Sequence, residues 1–203
     1  MEIDRLAELQ TAVMEDMGTG AVHELDGWAV VVNGRIVGAV RGAAVLGAEP
    51  LAAPIVDAIR AALAIPCDAD TDVAALHAFL LANQGRRECA RCGGKRVVTK
   101  RCGDCDHAHT HDCPDCDGDG YAVDIDHPVR VFGYPTSAWR LSLLTGWLVA
   151  CGVGYARLGL DDRDQAMPLL ALDAGDLRAV STVYSPEARV KYTSAPAWPA
   201  VTP

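Results

Sequence analysis

Apolar positions in the first 17 residues recur with a helical period. Ile3, Leu6, Leu9, Val13 and Met17 share one stripe, which predicts an amphipathic first helix over residues 3–17. The period then changes. Runs rich in Val and Ile at 21–25, 28–32 and 35–40 are separated by Asp26-Gly27 and Asn33-Gly34. Both dipeptides favour the left-handed backbone of a two-residue hairpin turn, so residues 21–41 are predicted as a three-stranded meander. Residues 54–64 read as a helix, with Pro54 suited to its first turn and Pro66 just past its end. Residues 72–83 read as another, capped by Thr71 or Asp72. Further on, 121–126 and 129–132 are predicted as short strands, and Pro135-Thr136-Ser137 as the start of a helix running to Ala150. Strands at 152–159, 167–172 and 177–184 finish the pattern, joined by the Asp-rich turns 161–164 and 173–176. The last ten residues, 194–203, hold three prolines and are expected to be extended or loosely attached.

Composition bounds this picture. Half of the 203 residues are hydrophobic, enough for one domain with a small inserted module. No apolar run reaches the roughly 18–20 residues that span a bilayer. The opening Met-Glu-Ile-Asp lacks a basic, apolar leader. The expectation is a soluble, cytoplasmic protein with no membrane contact. In that setting eight cysteines do not suggest disulfides. Six of them form three CxxC pairs, Cys89 with Cys92, Cys102 with Cys105, and Cys113 with Cys116, which is metal-ligand spacing. Cys67 and Cys151 stand in apolar surroundings and read as small core residues. The formal net charge is −9, yet seven of the 18 basic residues lie in one stretch: Arg86, Arg87, Arg91, Lys95, Arg96, Lys100 and Arg101.

A CxxC turn sets two sulfurs on one side of a tight loop, and two such loops complete a tetrahedron around Zn2+. A segment with so little apolar content must take its folding energy from metal. Cys113-Pro-Asp-Cys116-Asp-Gly118-Asp-Gly120 resembles the CxxCxGxG repeat of the DnaJ-type zinc domain at every position. Cys89-Ala-Arg-Cys92-Gly-Gly94-Lys-Arg96 resembles it up to Gly94 and departs at Arg96. The outermost repeats of that family pair, so the resemblance implies one site from Cys89, Cys92, Cys113 and Cys116. The central pair is followed by His107, His109 and His111. A second site from Cys102, Cys105, His109 and His111 completes a tetrahedron, with His107 as the alternate ligand. Two zinc ions are expected, both structural. With four protein ligands at each, neither leaves a position open for water. The chain has no J-domain and no His-Pro-Asp tripeptide, so the resemblance extends to the metal fold alone.

Outside residues 86–120 the order is helix, meander, strand, helix and three closing strands. That order resembles one domain of the bacterial sliding clamp, the β subunit of DNA polymerase III. WAVVVNGRIVGAVRG is similar to the paired long strands of a clamp domain, VRVFGYPTSAWRLSLLTGWL to its strand-into-helix stretch, and VGYARLGLDDRDQAMPLLALDAGDLRAVSTVY to its closing hairpins. The combination resembles phage- and prophage-type proteins with a CxxCxGxG insertion in a clamp-like frame. The fold expected is therefore α+β, a single clamp-like domain of two helices on an antiparallel sheet. Residues 1–85 and 121–193 would form it, 86–120 would be the zinc-binding insertion, and 194–203 a Pro-rich tail. The helical stretch 51–83 would belong to the inserted part.

The functional expectation is a non-enzymatic accessory protein. No HExxH, P-loop or G-x-S-x-G elbow is present, so no catalytic residue is assigned and no small-molecule substrate is evident. His23, His77 and His127 read as structural or surface residues. The leading role is a protein-interaction module, through the zinc arm, the tail around Trp198 or self-association of edge strands. The alternative is nucleic-acid contact through the ribbon from Arg86 to Arg101, whose seven cations could neutralise several phosphates. A third, remote reading is a zinc-dependent enzyme.

Overall fold

The computed structural model of the protein describes residues 4–17, 21–32, 36–43, 45, 51–163, 168–184 and 191–198, and the side chains of 14–17 lie outside that description. The expected turn at Asn33-Gly34, the stripe position Ile3, the side chain of Met17 and residues 199–203 of the tail fall outside it. The first helix, α1 (Arg5–Met17), leads into the meander β1 (Val22–Leu25), β2 (Trp28–Val32) and β3 (Ile36–Arg41). Asp26 and Gly27 both take left-handed φ, 52° and 80°, as a tight hairpin turn of right-handed strands requires. Then come α2 (Ala53–Leu63), β4 (Ala69–Asp72) and α3 (Val73–Ala82). The Asp72 carboxylate caps α3, accepting from the Ala75 amide at 2.9 Å.

The second half builds β9 (Pro128–Val131), β10 (Tyr134–Ser137), α4 (Ala138–Ala150), β11 (Tyr155–Asp161), β12 (Leu169–Asp173) and β13 (Leu177–Thr182). Residues 135–137 were expected to begin the helix. They form a strand instead, paired antiparallel with β9 through the turn Phe132-Gly133, and Ser137 caps α4 from the strand's last position.

One seven-stranded sheet holds the domain together, in the order β1-β2-β3-β13-β12-β11-β4, with every pair antiparallel. Side chains alternate between its faces. Val31, Ile36, Leu158, Leu170, Leu172 and Ala179 join the core formed with α1, α3 and α4. Trp28, Val30 and Ala39 pack under Ile59 of α2, and Ala171 and Val180 under Ala62 and Ile65. The architecture is thus α+β in three layers. Three helices lie on one face and α2 on the other, where a frame of two helices with 51–83 as an inserted helical stretch had been expected. Each fully buried leucine of this core, such as Leu76, Leu141 or Leu172, contributes about 1.5–3 kcal/mol.

Residues 51–83 are part of this domain and not appended to it. β4 pairs with β11 at the sheet edge, and Val73, Leu76 and Leu80 of α3 lie in the main core. Of the two expectations for the tail, extended or loosely attached, the second does not hold for its described part. The Trp198 amide donates to the Arg130 carbonyl at 2.8 Å, and its ring lies 5.3 Å from that of Phe79. Residues 196–198 are therefore fastened along β9. Among the described residues no helix is long and apolar enough to cross a membrane.

Candidate metal centre

Four short strands carry the cysteines. β5 (Gly85–Glu88) pairs with β8 (Tyr121–Asp124) to form a stem, and β6 (Val97–Arg101) pairs with β7 (Ala108–Asp112) to form a ribbon beyond it. The stem has a firm footing. Arg140, 4% exposed in the first turn of α4, reaches Asp126 at 3.2 Å. The Ser137 hydroxyl donates to the Ile125 carbonyl, and Tyr184 donates to the Asp126 carbonyl at 2.7 Å. Burial pushes that phenol up to about 12, so it stays a donor through the physiological range. A Cβ on Gly85 would collide with the His127 ring, so the stem enters against the domain with no side chain at that point.

Where the stem ends, the outer CxxC turns meet. The Cys89 and Cys113 sulfurs are 3.7 Å apart, and those of Cys92 and Cys116 3.8 Å. Tetrahedral bonds of about 2.3 Å to Zn2+ place sulfurs about 3.8 Å from one another. All four cysteines are buried and form a cluster of their own, with Val98 the one hydrophobic side chain packed against it among the described residues. The surrounding backbone follows the glycines. The Cys89 amide donates to the Gly120 carbonyl at 2.9 Å, and the Gly120 amide donates to the Cys116 sulfur at 3.3 Å. Gly120 has φ +81°, and a Cβ there would stand 2.8 Å from the Gly94 carbonyl oxygen.

Protons are shared unequally across these sulfurs. The Cys92 amide aimed at Cys89 pulls its thiol down to about 7, while burial pushes Cys113 up to about 12. A divalent ion that takes all four as thiolates resolves that conflict. The spacing, the burial and the all-sulfur donor set fit a closed, structural metal site.

The central pair sits at the far end of the ribbon. Cys102, Cys105 and His109 bring their ligand atoms within 4.8 Å of one another, and the Cys105 sulfur lies 3.1 Å from His109 Nε2. The Asp104 amide, and with it that of Cys105, points at the Cys102 sulfur and lowers its pKa. Of the two histidines expected here, the structure brings in His109 alone. His111 stands one rung back on the same face of β7, its ring centroid 6.4 Å from that of His109. His107 contributes its carbonyl, which accepts from the Cys102 amide at 2.9 Å, and is not in the group either. Cys105 and His109 are exposed, in contrast to the buried base site. Donors of two thiolates and one imidazole suit Zn2+ or a neighbouring transition metal.

The seven cations expected to form a contact surface are spread along this arm, and three of them are engaged. Arg86 pairs with Asp119, Arg91 with Asp115 at 2.8 Å, and Arg101 with Asp106 at 3.4 Å. Arg87, Lys95, Arg96 and Lys100 have no carboxylate partner among the described residues. Residues 86–120 also carry seven acids (Glu88, Asp104, Asp106, Asp112, Asp115, Asp117 and Asp119), so the module's formal charge is zero. The arm further exposes Val97, Tyr121 and Val123, the last two on the same face of β8, with the Arg86 guanidinium 5.6 Å over the Tyr121 ring. The sequence marks 121–126 as a strand, but alternation alone does not say whether a face is covered, so the exposure of these three was not legible.

The remaining histidines and cysteines lie in the domain. His23 is buried, and His77 Nδ1 contacts the Thr145 hydroxyl at 3.0 Å. Cys67 and Cys151 are half-buried beside the apolar clusters. Comparison of the chain with family models, with curated proteins and with solved structures yielded no match.

Proposed function

We propose that this chain is a non-enzymatic, zinc-binding accessory protein whose metal-stiffened arm presents a surface to a protein partner. The observation that carries the reading is the closed four-sulfur site at the base of an arm with no apolar core of its own. Such an arm depends on metal for its shape. Zinc suits the donor set, and a buried site with four thiolates leaves no position for substrate. The exposed Val97, Tyr121 and Val123 supply apolar surface for a protein contact. The resemblance of the frame to a clamp domain supports an accessory role, although α1 carries Arg5 as its one basic residue, with exposed Glu8 within it and exposed Asp4 just before it.

Nucleic-acid contact is the second reading, and the four unpaired cations are what favours it. The charge balance of the arm favours a protein. One measurement tests the metal premise and a second decides between the readings. Elemental analysis is expected to give two zinc ions per chain, falling to one when Cys105 and His109 are both replaced by Ala. Titration of duplex DNA is expected to show no binding at low salt. Tight, steeply salt-dependent binding, lost when Arg87, Lys95, Arg96 and Lys100 are all replaced by Ala, would overturn the protein-partner reading in favour of phosphate contact.

A further inference from the structure

The two metal sites differ in a way that their ligand types alone do not convey. At the base, four buried sulfurs close a tetrahedron. At the tip, three ligand atoms converge, and two of their three residues face solvent. A first-row dication with tetrahedral preference has one bond left over there. The space on that side is a shallow hollow of about 440 Å³ lined by Lys100, Arg101, Cys102, Gly103, His109 and His111.

The register of the ribbon decides what borders this hollow. Lys100 is the direct partner of His109, and Val98 of His111, so all four stand on one face. Lys100 therefore shares a face with the histidine ligand and borders the same hollow. Arg101 borders the same hollow from the neighbouring position, although Asp106 shares its charge. A dication bound by two thiolates and one neutral imidazole is formally uncharged. An anion completing the tetrahedron makes the centre negative, which Lys100 and Arg101 offset. A neutral donor gains nothing from those cations.

From this arrangement we infer that the tip is a coordinatively open metal centre. Its fourth position is held by exchangeable water and accepts a monodentate anionic donor, with Lys100 and Arg101 as positioning cations. This deepens the proposed function and rests on its premise that the tip binds metal. The donor chemistry is that of a carboxylate or a small inorganic anion. The step is ligand exchange alone: water leaves as the anion donates a lone pair, and no proton or electron changes hands. Metal, and not apolar surface, would then be the arm's most specific point of contact.

Cobalt(II) is the reporter, since its visible absorption follows coordination number and donor type. The full-length chain is loaded with cobalt at both centres. The tip spectrum is obtained by subtracting that of Cys105→Ser, which retains the base site; His109→Ala provides an independent subtraction if the first variant misfolds. Azide and a glutamate-rich peptide are then titrated separately. The expected result is a saturable shift of the tip spectrum, with apparent affinity weakened severalfold by Lys100→Ala. Response to azide alone would identify a free anion as the ligand, and response to the peptide as well would identify a protein carboxylate. A wild-type chain indifferent to both probes overturns the open site. If His111→Ala then becomes responsive, His111 is the fourth ligand and closes it. Only one cobalt per wild-type chain would instead overturn the premise that the tip binds metal, leaving the base site standing.

Discussion

Single residues govern how well the base site is formed. Gly120 is the sharpest case, because its positive φ and the nearness of the Gly94 carbonyl both refuse a side chain. A left-handed backbone costs an ordinary residue about 1–2 kcal/mol before any clash is counted. Gly120→Ala is therefore expected to weaken zinc binding by about tenfold or more, measurable by competition with a chromogenic chelator. The four cysteines and the CxxCxGxG pattern were legible in the sequence, since their spacing is itself the geometry of the site. The position of His111 was not. Residues two apart on a strand share a face, but nothing in the pattern says whether both reach the same ion.

At the scale of elements, the caps are the accessible test. Ser137 accepts from the Arg140 amide at 3.1 Å and also donates to the Ile125 carbonyl, so it joins α4 to the foot of the stem. Ser137→Ala is expected to lose about 1–2 kcal/mol, read as a lower urea midpoint with an unchanged slope. The long periodic elements were readable: the meander, α1, α3, α4 and the closing strands all follow alternation or helical spacing. Of the short ones, β8 and β9 were readable, but β4 and β10 were not. β4 reads Ala-Asp-Thr-Asp and has no apolar run; only its place beside β11 makes it a strand. The hairpin from β9 to β10 turns on Phe132, which adopts φ 52° although an aromatic residue gives no turn signal. Missing that turn moved the expected helix start forward by three residues.

For the molecule as a whole, the metal cluster of the arm and the apolar cores of the domain are built apart. The sulfur cluster shares no buried residue with the three apolar clusters of the domain. Removing metal with a strong chelator is expected to abolish amide-exchange protection across residues 85–124 while the seven-stranded sheet keeps its own. Loss of protection in both together would show one cooperative unit. Sequence order alone could not reveal this division. It showed where the cysteines lie, but it also assigned residues 51–83 to the insertion, because adjacency along the chain says nothing of which core a helix enters.

The stem begins and ends on neighbouring positions, Gly85 directly opposite Asp124. Directly paired residues of antiparallel strands have Cα atoms about 4.5–5.5 Å apart, a gap that a two-residue turn closes. Everything between them behaves as a cassette. A chain in which residues 86–123 give way to Asn-Gly is expected to fold with a far-ultraviolet spectrum still rich in sheet, and to bind no zinc. The reverse transfer is open too: any hairpin tip of the same span could receive this metal-bearing graft, so the arm is a part that recombination can move without rebuilding the protein that carries it.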